Sequence, residues 1–252
     1  MDLHFSDMIE MQQKLQELHA GDWRPCVPEN ARRQLLWGIG ELGEVIDIVK
    51  KRSNGQLMND PETRAHLIEE MSDFMMYFTD VLLCYRISAK EYSEAHFSKH
   101  MHNRFRDFTV RDHYTGESAL PQDAIDACRA RYSADDLRLS DLIDMQQYLL
   151  EKHPDWGPYV PEEGAGQLLW TLGEIGEVID VIKHSGDERL MTDPERRAQL
   201  LAEMSDVMMH FINVFICYSV SADEYASAHT AKHERNMKRD YREENARMFA
   251  KK

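Results

Sequence analysis

The chain contains one pattern twice. Gln34-Leu35-Leu36-Trp37 returns as Gln167-Leu168-Leu169-Trp170, and the same offset of 133 positions carries Glu41 to Glu174, Asp60-Pro61-Glu62 to Asp193-Pro194-Glu195, and Asn103 to Asn236 without a gap. Upstream, Asp7 matches Asp141 at an offset of 134, so the copies differ there by one residue. Any fold for these 252 residues must therefore build the same local elements twice. The boundaries read as a first repeat over 1–111, a connector over 112–139 and a second repeat over 140–252.

Each repeat spells four helices. The first covers roughly 6–19, with Met8, Ile9, Met11 and Leu15 at helical spacing. A connector holding Pro25 and Pro28 breaks it. A second helix runs from about Glu29 to Arg52, where Ser53-Asn54-Gly55 stops it. The third opens at Asp60 as N-cap with Pro61 at the first helical position, and reaches about Arg86. The fourth starts at Ser88, whose Ser-Ala-Lys-Glu run reads as a capping box, and continues to about Phe108. The second copy repeats these signals, with Ser221-Ala222-Asp223-Glu224 at its fourth helix. The connector is expected to hold a short helix near 122–131. No stretch alternates with period two, so the expected class is all-α.

Two helices carry acids at three-residue spacing: Glu41 with Glu44, and Glu70 with Asp73. Such pairs share one helix face, and both sit among apolar residues such as Leu36, Ile39, Met71 and Phe74. Packed together, these helices would gather four carboxylates, which repel one another and resist desolvation unless a cation lies among them. Oxygen donors without cysteine favour Mg²⁺, with Mn²⁺ as the alternative. The second copy keeps all four as Glu174, Glu177, Glu203 and Asp206, whereas neighbouring Glu69 and Asp80 become Ala202 and Asn213. A single Glu-x-x-Glu is ordinary on a solvated helix; the paired constellation is not.

Charge narrows the partners. A formal net charge of −15 argues against nucleic-acid polymers and anionic membranes. A small anionic substrate stays open, because a divalent metal reverses the local field. The start, Met1-Asp2-Leu3-His4, lacks a basic and apolar leader, and the apolar stretch around Val81-Leu82-Leu83-Cys84 reads as too short to span a bilayer. Cys26, Cys84, Cys128 and Cys217 show no metal-type spacing, which points to a reduced, cytoplasmic chain.

Glu-x-x-Glu followed about 26 residues later by Glu-x-x-Asp, on successive helices, resembles the MazG-like all-α nucleoside triphosphate pyrophosphohydrolases, the superfamily of dimeric dUTPases and dCTP pyrophosphatases. The resemblance covers residues 30–108 and 163–241 and is carried by the acid motif. It implies two tandem four-helix repeats packed as an intramolecular pseudo-dimer, with room for a further homodimer. It also implies Mg²⁺ held by Glu41, Glu44, Glu70 and Asp73, and by Glu174, Glu177, Glu203 and Asp206. The implied reaction cleaves a nucleoside triphosphate into its monophosphate and pyrophosphate, with Glu41 and Glu174 handling the attacking water.

Basic and aromatic residues complete the expected site. Lys99, Asn103 and Arg106, repeated as Lys232, Asn236 and Arg239, share a face of the fourth helix and suit a phosphate chain, although cations also complement a helix end. Lys50 and Lys183, ending the second helix, are further phosphate candidates. Tyr77 stands one turn beyond Asp73, and His210 takes its place in the second copy. Trp37 and Trp170, one turn before the first Glu, suit either a base contact or core packing. The His96/His100 and His229/His233 pairs have zinc-like spacing but no evident third ligand. The rival to catalysis is a nucleotide- and metal-binding sensing or interaction module. A di-iron bundle would need Glu-x-x-His ligands that these motifs lack.

Overall fold

The computed structural model describes residues 2–106 and 120–240, and the described chain is all-helical. The first repeat forms α1 (Phe5–Leu18), α2 (Ala31–Lys51), α3 (Asn54–Asn59), α4 (Pro61–Cys84) and α5 (Ala89–Phe105). The connector contributes α6 (Gln122–Arg131). The second repeat forms α7 (Leu139–Lys152), α8 (Gly164–Ser185), α9 (Asp187–Thr192), α10 (Pro194–Cys217) and α11 (Ala222–Asn236). Short 3-10 turns at Pro28–Asn30 and Pro161–Glu163 lead into α2 and α8. The expected extensions of the fourth helices past Arg106 and Asp240, and the repeat boundaries beyond those points, lie outside the described residues.

Among the described residues each repeat thus holds five helices rather than four. Ser53 ends α2 but also caps α3: its hydroxyl accepts from the Gln56 amide at 3.3 Å, and Gln56 Oε1 accepts from the Ser53 amide at 3.1 Å. Gly186, at φ 76°, performs the matching stop before α9 with a conformation that favours glycine. Asp60 caps α4 by accepting from the Thr63 amide at 2.9 Å, and Asp193 caps α10 through the Glu195 and Arg196 amides. Ser88 caps α5 as expected, but the Glu91 carboxylate does not fold back to complete a box; it pairs with Arg197 at 2.8 Å.

The compact units cut across the repeats. Unit 1 comprises Ser6–Ile87 and the chain from Val220, while unit 2 comprises Asp2–Phe5 and Ser88–Ser219. The long helices α2 and α4 of the first copy are therefore completed by α11 of the second, and α8 and α10 of the second copy by α5 of the first. In unit 1, Leu42, Val45 and Ile48 meet a core with Leu67, Met71, Phe74, Met75 and Leu82, all buried. At about 1.5–3 kcal/mol for each fully buried large apolar side chain, this face outweighs the lower helix propensity of the aromatic and β-branched residues in α4. Ile175, Val178, Ile182, Met204, Met208, Phe211 and Phe215 do the same in unit 2.

Ion pairs fasten each exchanged helix inside its unit. Arg64 of α4 grips Glu224 of α11 with Nη2 to Oε2 at 2.7 Å, and Arg197 of α10 grips Glu91 of α5 in the same bidentate way. Both exchanges leave through a left-handed residue, Arg86 and Ser219, each at φ 51°. The Val81–Cys84 stretch read from sequence understated the apolar length. Helix α10 is long and apolar enough to cross a membrane by length and composition, with an 18-residue stretch of mean hydropathy 1.4, yet 72% of that stretch is buried within the protein.

Candidate metal and phosphate site

Glu41 on α2 and Glu70 and Asp73 on α4 each offer an oxygen, and these oxygens lie within 4.8 Å of one another. Glu174, Glu203 and Asp206 form the same group in unit 2. The three-residue spacing in α4 and α10 turns two acids toward one acid on the packed neighbouring helix. Burial pushes Glu41 up to about 7, helped by the charges of Asp73 and Glu70. Glu174 is raised to about 7 by burial and then by Asp206 and Glu203. Burial also raises Glu70, Asp73 and Glu203. Three partly buried carboxylates at this range form a hard-oxygen donor set that fits Mg²⁺ or Mn²⁺.

The fourth acid of each motif stands apart. Glu44 and Glu177 are exposed and belong to neither three-oxygen group, although their charges add to the upward push on Glu41 and Glu174. Sequence spacing placed them on the right helix; the outer edge of the face left them in solvent.

The exchanged helices deliver the cations. Lys232 of α11 sets Nζ 2.6 Å from Asp73 Oδ2 and 2.8 Å from Glu69 Oε1, and is itself buried. Arg235, one turn on, adds a contact of 3.0 Å to Glu69. In unit 2, Lys99 of α5 sets Nζ 2.5 Å from Asp206 Oδ2. Each lysine therefore faces the acids of the other copy rather than its own. Glu69 and Arg235 are not repeated: Ala202 and His102 replace them in the other copy, and Arg235 is not among the residues expected at the site. Burial pushes Glu69 up, but its bonds to Lys232 and the charges of Lys232 and Arg235 outweigh this and hold it below the usual range. His66 touches Glu70 at 3.1 Å in unit 1 only, since Gln199 matches it in the second copy.

The remaining candidates separate clearly. Asn236 and Asn103 are buried and donate to Met76 and Met209 sulfurs at 3.6 and 3.5 Å, one turn beyond Asp73 and Asp206; Asn236 Oδ1 is buried without a hydrogen-bond partner. Arg239 helps hold Asp73 in its charged form, while Arg106 ends α5 as its cap residue. Lys50 and Lys183 are not brought to the acids. They pair with Asp47 and Asp180 on their own helices, and Lys50 stands about 13 Å along α2 from Glu41 at 1.5 Å per residue.

Aromatic pairs flank both acid groups. Trp37 stacks on Tyr77 with ring centres 6.3 Å apart, and Trp170 stacks on His210 at 5.9 Å. Both indoles stay largely exposed, at 50% and 61%. Gly38 allows the approach of α4, because a Cβ there would lie 3.3 Å from Tyr77 Cβ. His210 Nε2 also sits 3.8 Å from Glu174 Oε1. The His96 and His229 imidazoles are buried and pushed down to about 3, so they pack as neutral groups.

No family model matches the chain, and no curated protein or solved structure matches it either. Likeness is instead internal: the two copies build the same three-acid, one-lysine, one-tryptophan arrangement from different halves of the sequence.

Proposed function

We propose that both units are Mg²⁺-dependent nucleoside triphosphate pyrophosphohydrolase centres of the MazG-like type, arranged as a pseudo-dimer within one chain. The observation that carries this reading is the pair of three-carboxylate groups, each confronted by a lysine from the exchanged helix. Glu41, Glu70 and Asp73, and Glu174, Glu203 and Asp206, would hold the metal, with Glu44 and Glu177 available at the rim. Bound there, Mg²⁺ would neutralise phosphate charge and acidify a water.

The chain's own residues supply the rest. Glu41 and Glu174, at the edge of the metal-binding acids, would orient the attacking water or take its proton. Lys232 and Lys99 stabilise charge on the leaving pyrophosphate, helped by Arg239 and Arg106. The exposed faces of Trp37 and Trp170 receive the base beside Tyr77 and His210. The acidic surface keeps polymers away and leaves a small nucleotide as partner in a cytoplasmic setting.

The test is pyrophosphate release across a panel of nucleoside triphosphates with Mg²⁺. The Glu41→Gln/Glu174→Gln double variant should lose turnover by at least about a hundredfold with its fold intact. Release at the parental rate from every nucleotide sinks the catalytic assignment. Nucleotide binding without any release would leave a sensing module.

A further inference from the structure

The two centres hold their lysines differently. Lys232 lies between two carboxylates, Asp73 at 2.6 Å and Glu69 at 2.8 Å, and only 10% of its side chain is exposed. Glu69 is fixed from its other side by Arg235 at 3.0 Å. In unit 2 the position of Glu69 is Ala202 and that of Arg235 is His102. Lys99 has Asp206 as its ion-pair partner, and 22% of its side chain is exposed. The acid groups themselves are the same in both units.

A phosphate chain that uses either lysine must compete with the carboxylates already on it. In unit 2 that competitor is Asp206, which a divalent cation would itself engage. In unit 1 a metal relieves only Asp73; Glu69 lies outside the three-oxygen group and keeps its hold on Lys232. Arg235 balances the charge of Glu69, so the effect of Glu69 lies in its direct hold on Lys232. From these contacts we infer that Glu69 is a built-in competitor for substrate phosphate, a positioning residue that makes the unit 1 centre the weaker anion site and leaves unit 2 as the principal one. This rests on the proposed phosphate-handling role of both centres and adds their inequality to it.

The experiment uses the full chain with inorganic pyrophosphate and Mg²⁺ as probe, followed by titration calorimetry. Glu174→Gln/Asp206→Asn leaves unit 1 as the reporting centre, and Glu41→Gln/Asp73→Asn leaves unit 2. The unit 2 centre is expected to bind roughly tenfold more tightly, the scale of one hydrogen bond to a charged group. Adding Glu69→Ala to the unit 1 reporter should recover most of that factor, whereas Glu69→Asp should not. The reciprocal graft, Ala202→Glu in the unit 2 reporter, should weaken binding by a similar factor and serves if Glu69→Ala fails to fold. In the parental chain the inequality should also appear as two classes of sites. Equal affinities unchanged by either substitution overturn this inference while leaving the phosphate role standing. Absence of any pyrophosphate uptake by the parental chain with Mg²⁺ removes both.

Discussion

The acid centre of unit 1 and that of unit 2 share three carboxylates and a facing lysine, but they neutralise the lysine unequally. Lys232 sits in a chain of ion pairs that runs from Asp73 through Lys232 and Glu69 to Arg235; Asp206 holds Lys99 in a simpler pair. Duplication has thus kept the cluster that repels itself and varied the ring around it. A carboxylate group that must accept a cation is constrained at every member, whereas the counter-ions outside it can be exchanged as long as the lysine stays satisfied.

The sharpest way to break this comparison is to remove each lysine. Lys232→Ala strands four buried or half-buried acids without their cation and should cost about 3 kcal/mol in metal-free buffer. Lys99→Ala, at a more exposed and simpler pair, should cost about 1 kcal/mol. Denaturant unfolding at pH 7 measures both, and equal losses would show that Glu69 adds nothing to the unit 1 network.

A packing contrast comes next. A Cβ on Gly164 would lie 2.3 Å from Tyr218 Oη, so Gly164→Ala should destabilise by about 2 kcal/mol. The first copy carries Ala31 at the position that matches Gly164, and Tyr85 at the one that matches Tyr218. Ala31→Gly should therefore cost no more than about 1 kcal/mol. Thermal unfolding of the two variants would erase the contrast if Gly164→Ala proved neutral.

The feature common to both centres is tested by pH. Because folding raises Glu41 and Glu174 to about 7, the native state keeps protons that the unfolded chain releases near pH 4.5. Their contribution to stability is full below pH 4.5 and is lost as pH rises through 7. Metal-free protein should thus lose a few degrees of Tm between pH 5 and 8, and Mg²⁺ should restore them at pH 8 but not at pH 5. A Tm independent of Mg²⁺ at pH 8 counts against metal uptake. The smallest effect concerns the left-handed turns. Arg86→Gly and Ser219→Gly should each stabilise by about 0.5 kcal/mol, equally in the two copies. Calorimetric scans would show an unequal pair if the two turns carry different strain.

Much of this architecture is written in local residues. Asp60-Pro61 and Asp193-Pro194 announce α4 and α10, the acid spacings place Glu70 with Asp73 on one face, and the apolar periods locate α1, α2, α7 and α8. Short α3 escaped because Ser53-Asn54-Gly55 both stops one helix and caps the next. The exchange of α5 and α11 has no local signature at all. Lys99 and Lys232 occupy equivalent positions in near-equivalent helices, so either would satisfy either acid group. The choice is made by how the chain leaves Arg86 and Ser219, a tertiary matter. Glu69 is legible in the sequence only as a position that differs between the copies; its contacts to Lys232 and Arg235 depend on the same tertiary exchange, and Arg235 has no local signature.

Because the chain trades helices at residues 87–88 and 219–220, neither unit is a continuous stretch of polypeptide. A ribosome makes the first acid group early and its lysine more than 130 residues later, a delay of roughly 10–30 s at ordinary elongation rates. Through that interval the nascent unit carries uncompensated acids and the bare apolar flank on which α11 will pack, which makes it a natural client for a chaperone. Splitting the gene between its repeats would yield two polypeptides, each parted from the helix that now completes its acid group. Each centre would then have to be completed by a lysine from an equivalent helix, in the other half or in a second copy of the same half.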